Sequence, residues 1–174
     1  ITSGSVFLSK SFIDDPAAPG GTVTLEFTLT NPTETYVATD ITFTDDLSVA
    51  LTGLAATGLP QADICGAGSS LAGSNGNTLL TMDGGSLGAG ESCTFSVTLD
   101  IPAGTASGTY TNTTSDVSAT VGGQAVTSTA ASDTLNIAGI NFTKEFIDDP
   151  VIAGGQTTLR FTIGNVHPGD GATA

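Results

Sequence analysis

Two cysteines and a few acidic and basic residues are the side chains in this sequence that could do chemistry. Cys65 and Cys93 are the only cysteines in 174 residues, and a stretch rich in Gly and Ser separates them. They either pair as a disulfide or remain as two buried thiols. A zinc site is disfavoured, because two Cys and one His are too few ligands.

The acidic residues often come in adjacent pairs at expected turns. Asp14 and Asp15, and likewise Asp45 and Asp46, supply the hard oxygen ligands that Ca²⁺ takes, so these four are candidate calcium ligands. The alternative is that each Asp caps a turn by accepting hydrogen bonds from nearby backbone. No other cofactor is indicated. Lys10, which is one of only two lysines, is expected to pair with a nearby carboxylate.

Composition excludes several classes of function. With 3 Lys+Arg against 17 Asp+Glu and a formal net charge of −14, the chain is unsuited to binding nucleic acid or an anionic membrane. No apolar run is long enough to span a membrane. The single histidine, His167, lies outside the first repeat unit described below, so a Ser–His–Asp triad cannot form within that unit. The sequence therefore predicts no enzyme.

An internal repeat organises the chain. The segment 7–40 returns at 141–174 with an offset of 134, and 15 of its 34 positions are identical, including the lysines Lys10 and Lys144. A period of this size indicates whole domains in tandem. We expect one complete module over 1–138 and the first strands of a second copy over 139–174. The partial copy is either a window from a longer tandem array or a set of strands that completes a neighbouring subunit.

Alternating apolar and polar residues predict short strands throughout the first module. Turn clusters rich in Gly, Asn, Asp and Pro separate these strands, and no segment has a strong helical pattern. The sequence thus predicts an all-β fold, an antiparallel Ig-like β-sandwich in tandem repeat. The predicted core is Val23, Leu25, Phe27, Leu29, Phe43, Phe95, Val97 and Leu99.

A family resemblance follows from the motifs of the first module. The run from Phe7 to Asn31, with Lys10, Phe12, Pro16 and Gly20-Gly21, resembles the conserved-repeat Ig-like modules of large bacterial surface proteins. The later Ser92-Cys93-Thr94 and Gly108-Thr109-Tyr110-Thr111-Asn112 are also similar to that family. The resemblance implies secretion to the bacterial cell surface, tandem arrays and a structural or adhesive role without catalysis.

Three modifications follow from this extracellular setting. Secretion favours the Cys65–Cys93 disulfide. Lys–Asn isopeptide crosslinks are known in Ig-like modules of Gram-positive surface proteins, which makes Lys10 and Lys144 candidates. Their expected partners are Asn112 or Asn136, with Asp116 or Asp133 as proton shuttle. Asn112 and Asn141 also satisfy the N-x-[ST] rule and are candidate glycosylation sites.

The sequence therefore favours a structural repeat of a secreted surface protein or extracellular filament. Stiff sandwiches would be joined by a short linker at about 137–141, and the partners would be neighbouring copies, in tandem or through strand donation. The alternative is an adhesin or ligand-binding module, with Ala55–Asn77 as its binding loop. Tyr36 and Tyr110 are the aromatic residues available to such a surface.

Overall fold

A computed structural model describes residues 4–165 of the chain. The strands are β1 (Phe7–Phe12), β2 (Thr22–Thr30), β3 (Ala38–Asp46), β4 (Ala55–Thr57), β5 (Gln61–Ala62), β6 (Ser70–Ala72), β7 (Leu79–Leu87), β8 (Ser92–Asp100), β9 (Gly108–Thr113), β10 (Val117–Val121), β11 (Gln124–Ser128), β12 (Ser132–Ile137), β13 (Ile140–Phe146) and β14 (Leu159–Asn165). One short helix, α1 (Leu47–Ala50), follows β3. Within residues 4–165 no helix is long and apolar enough to cross a membrane.

Two antiparallel sheets form the body of the fold. The first has the order β1-β2-β8-β4, and the second has the order β11-β10-β3-β7-β6-β5. Strands β9 and β12 pair with each other, and so do β13 and β14. The predicted antiparallel Ig-like β-sandwich is confirmed.

The core follows from the period-two pattern of the strands. In β2, alternate residues from Val23 to Leu29 are buried, while the residues between them are partly exposed. Phe27 of the first sheet packs against Phe43 of the second, with ring centroids 5.3 Å apart, and against Phe95 at 5.4 Å. All eight predicted core residues are buried.

The segment Ala55–Asn77, predicted as a long binding loop, contains three short strands instead. β4 pairs with β8 in the first sheet, while β5 and β6 extend the second sheet beyond β7. Leu71 and Ala56 lie fully buried in this segment. Much of the segment is therefore part of the sandwich.

The hairpin β13–β14 reproduces the pairing of β1 with β2. Lys144 lies opposite Phe161 in the hairpin, as Lys10 lies opposite Phe27 in the first sheet, which is the same register at an offset of 134. Phe142 and Phe161 stack with centroids 5.6 Å apart and are more than half exposed. The rest of the expected second copy, 166–174, and with it His167, lies outside the described residues.

Candidate crosslinking site

Strand β1 carries a lysine on its inward face. Lys10 and Phe12 are buried, whereas Ser11 between them is exposed, as the alternation of a strand requires. The Nζ atom of Lys10 lies 5.5 Å from the ring centroid of Phe27 and 5.9 Å from that of Phe12. No part of the lysine side chain reaches solvent. An ammonium group in such a place needs compensating partners.

Asp45 is the first of these partners. It lies near the end of β3, and its side chain is fully buried. Lys10 Nζ donates a hydrogen bond to Asp45 Oδ2 over 2.6 Å. The first strand of one sheet is thereby joined to a central strand of the other.

Asn112 of β9 completes the cluster. Its side-chain Nδ2 donates to Asp45 Oδ1 over 2.8 Å, and its Oδ1 accepts a hydrogen bond from Lys10 Nζ. Asn112 is only 1% exposed. An amine, a carboxyl group and a carboxamide therefore contact one another in a closed triangle, which we call the Lys10–Asp45–Asn112 cluster.

The electrostatics of this cluster bring the Lys10 amine closer to its neutral form than in a solvent-exposed lysine. Burial lowers the pKa of Lys10, and the negative charges of Asp45 and, more weakly, Asp133 oppose that shift. A neutral lysine amine is a nucleophile, a carboxamide carbon is an electrophile, and a carboxyl group between them can carry protons. The cluster thus contains every group that amide exchange between Lys10 and Asn112 requires.

The other residues predicted for a crosslink have different contacts. Asn136 donates to Asp15 from both its backbone N and its side-chain Nδ2. Asp116 Oδ1 accepts from the backbone N of Ala130, and Asp133 Oδ2 accepts from the backbone N of Phe12. Neither acid, as placed here, hydrogen-bonds to Lys10 or Asn112. The acid in the cluster is Asp45, which the sequence suggests as a calcium ligand or a turn cap but not as the proton shuttle.

The four candidate calcium ligands are dispersed by the fold. Asp45 is committed to the cluster, Asp46 accepts from Ser48 N at the start of α1, and Asp15 binds Asn136, while Asp14 is exposed. Among residues 4–165, no group of three or more His, Cys, Asp or Glu is arranged to hold a metal. Calcium binding stays a prediction, which thermal melting with and without a calcium chelator would check.

The two candidate glycosylation sites, Asn112 and Asn141, lie in different surroundings. The buried Asn112 amide faces Asp45 and Lys10, so the folded module does not present it to a glycosyltransferase. Glycosylation at Asn112 stays a prediction, and it would have to precede folding. Asn141 lies within β13. Glycosylation at Asn141 stays a prediction.

The aromatic residues proposed for an adhesive surface do not form one cluster. Tyr110 uses its hydroxyl group to donate to the carbonyl of Ala106, and its ring is partly buried against the core. Tyr36 is 42% exposed, and its ring lies against the turn at Gly122.

The two cysteines form a disulfide. Cys65 and Cys93 are joined across a sequence separation of 28, with their Cα atoms 5.7 Å apart. The bridge ties the segment between β5 and β6 to β8. No free cysteine is present in the part of the chain that the structure describes.

Replacing both cysteines, in a C65S C93S variant, should lower the free energy of unfolding by about 3 kcal/mol, because the loop of the unfolded chain is no longer closed. Urea denaturation measures the difference. Reduction of the natural chain is the matched control and should produce the same loss. Equal stability of the oxidised, reduced and substituted chains would contradict a stabilising bridge.

Comparison with known proteins agrees with this architecture. The fold is an antiparallel β-sandwich of the kind seen in a bacterial pilin: the crystal structure of BcpA, the major pilin subunit of Bacillus cereus, matches with a TM-score of 0.55 at 14% identity, over 92% of this chain and 56% of that one. The chain belongs to the family described as domain of unknown function DUF7933, whose model matches residues 7–137.

A second solved structure gives a weaker match. The Actinomyces fimbrial adhesin FimA matches with a TM-score of 0.48 at 14% identity, over 78% of this chain and 58% of that one. The chain thus spans a little over half the length of each of these two proteins. No curated protein matches the sequence.

Proposed function

We propose that this chain is a load-bearing structural module of a bacterial surface protein or fibre, in which Lys10 and Asn112 become joined by an isopeptide bond. The observation that carries the proposal is the buried Lys10–Asp45–Asn112 cluster, in which amine, carboxyl and carboxamide are in hydrogen-bond contact. The sandwich shared with a major pilin subunit supports the structural role. Neighbouring copies of the module, in tandem or through strand donation, are the proposed partners at the cell surface.

The reaction needs only the three side chains. Lys10 Nζ passes a proton to Asp45 Oδ2, and the neutral amine attacks Cγ of Asn112. As the tetrahedral adduct collapses, Asp45 delivers that proton through Oδ1 to Nδ2 and takes a second proton from Nζ. The Nζ–Cγ bond forms, the Cγ–Nδ2 bond breaks, and ammonia leaves. Ammonia then takes the second proton from Asp45, so ammonium and a carboxylate remain.

The geometry suits each of these transfers. The two oxygens of Asp45 already face the two nitrogens that exchange places, at 2.6 Å and 2.8 Å. The fixed positions of the groups replace an encounter in solution, which removes a large part of the barrier to such a reaction. Because the cluster is closed to solvent, water does not compete with the amine for the amide carbon.

A bond at this place changes how the module carries tension. Lys10 and Asn112 are separated by 102 positions, so the bond would bridge the chain from the first strand to β9. Tension entering at β1 would pass directly into β9 and leave through β12. The segment 11–111, which contains most of both sheets, would be shielded from the pull.

We expect the natural chain to be lighter than its sequence mass by about 17 Da, the mass of one ammonia, once its disulfide has been reduced. Intact mass spectrometry of the unfolded chain measures this loss. The K10R and D45N variants should keep the full sequence mass. The K144R variant is the matched control, because Lys144 occupies the same repeat position but is exposed, and it should show the same loss as the natural chain.

Digestion with trypsin locates the bond independently. The chain contains three tryptic sites, after Lys10, Lys144 and Arg160. A crosslinked Lys10 is no longer a substrate, so the unfolded natural chain should be cut at Lys144 and Arg160 only, whereas K10R should be cut at position 10 as well. Full mass together with cleavage after Lys10 in the natural chain would overturn the proposed bond.

A further inference from the structure

Two aspartates link strand β1 and the residues that follow it to strand β12. One edge of β1 pairs with β2 along the whole length of the strand. On the other edge it meets β12, where Phe12 N donates to Asp133 Oδ2 over 2.8 Å. Further along, Asn136 N donates to Asp15 Oδ1 over 2.6 Å, and Ala17 N donates to the carbonyl of Asn136 over 3.0 Å. Two backbone N–H groups at this junction therefore donate to carboxylates instead of to the backbone carbonyls of a neighbouring strand.

Asp133 has a special place in this junction. It lies directly opposite Asn112 in the pairing of β12 with β9. Its hydrogen bond reaches Phe12, which lies two residues from Lys10 on the same inward face of β1. The Asp133 side chain thus links β1, which carries Lys10, to the position on β12 directly opposite Asn112.

We propose that Asp133 is a positioning residue for the Lys10–Asn112 reaction, fixing β1 along β12 so that the lysine amine meets the carboxamide of Asn112. This inference rests on the proposed crosslinking function, and it adds a residue whose hydrogen bond goes to Phe12 and to neither reacting group. A displacement of about 1 Å in such a reaction slows it by up to about a hundredfold, so the register of β1 determines the rate.

The negative charge of Asp133 affects the pKa of Lys10, and this effect can be separated from that of its hydrogen bond to Phe12. Asp45 from β3 and Asp133 from β12 are the two carboxylates whose negative charges raise the pKa of Lys10, against the lowering caused by burial. The Asp133 charge thus disfavours the neutral amine, while its hydrogen bond favours the reaction. Asparagine at this position keeps an oxygen acceptor for Phe12 N and removes the charge.

The test measures the rate of ammonia loss in full chains made by cell-free synthesis, quenched at timed intervals in acidic urea and weighed. D133A should react at least about tenfold more slowly than the natural chain. D133N should react within a few-fold of the natural rate. D116A is the matched control, because Asp116 also accepts from a backbone N–H, that of Ala130, but does so away from the cluster; it should keep the natural rate.

The pH profile gives a readout that a purely structural role would not move. Removal of a negative charge lowers the pKa of Lys10, so the profile of rate against pH should shift to lower pH in D133N. Natural rates in D133A, or a D133N rate as low as that of D133A, would overturn the positioning role. Absence of any ammonia loss in the natural chain would instead overturn the crosslinking function itself, so the two failures are distinguishable.

Discussion

The free energy of unfolding of the N112A variant should be at least about 4–5 kcal/mol lower than that of the natural chain. The proposed isopeptide bond would close a loop across a sequence separation of 102, and a crosslink over about 100 residues removes this much conformational entropy from the unfolded state. N112A keeps the Lys10–Asp45 ion pair, so no charge is left buried without its partner. The expected loss is therefore mainly that of the covalent tie.

Guanidinium denaturation followed by circular dichroism measures this difference, with K144R as the control that should match the natural chain. Loss of the Asn112 side-chain hydrogen bonds alone costs about 1–3 kcal/mol. A decrease confined to that range, with an unchanged dependence on denaturant concentration, would contradict a covalent bond. A crosslinked chain also unfolds to a more compact state, so the denaturant dependence of the natural chain should be the shallower one.

Local periodicity was sufficient to predict the framework of the fold. The inward residues of β2 and β8 alternate with Thr, Ser and Glu, and this pattern alone identifies Leu25, Phe27 and Val97 as core residues. The same reasoning did not extend to Ala55–Asn77, because its strands have only two or three residues. Such segments are too short to show a period, and their sheet partners hold them in place.

The acid of the cluster shows why a site is harder to predict than a strand. Asp45 and Asp46 look like one acidic pair in the sequence, yet successive residues of a strand point to opposite faces. Asp45 therefore points inward with Ile41 and Phe43, while Asp46 faces solvent and caps α1. The alternation of β3 carried this signal, because it places an aspartate at a core position, where an acid needs a partner.

Tertiary contacts determine which asparagine lies beside Lys10. Asn112 and Asn136 both lie on late strands, β9 and β12, and the sequence offered no means of choosing between them. The fold places Asn112 against Asp45 and Lys10, and Asn136 against Asp15. These contacts join residues more than 60 positions apart, so no local pattern contains them.

The disulfide and the proposed isopeptide bond would be nested. Cys65 and Cys93 both lie between Lys10 and Asn112, so the disulfide loop falls inside the larger loop that the isopeptide bond would close. At equilibrium both crosslinks restrict the unfolded chain. Under tension applied through the chain ends, however, only the outer bond would carry load, because it would bypass the segment that holds the disulfide.

Single-molecule stretching of the full chain should reveal this nesting. With the outer bond intact, unfolding should release the same length with and without a reductant. In N112A the segment 11–111 becomes extensible, so the reduced variant should release about 350 Å more than the natural chain, at about 3.4 Å per residue. The oxidised variant should release about 95 Å less than the reduced one, since the disulfide withholds its loop. K144R should behave like the natural chain, whereas a reductant-dependent length in the natural chain would show that tension reaches the disulfide and that Lys10 and Asn112 are not joined.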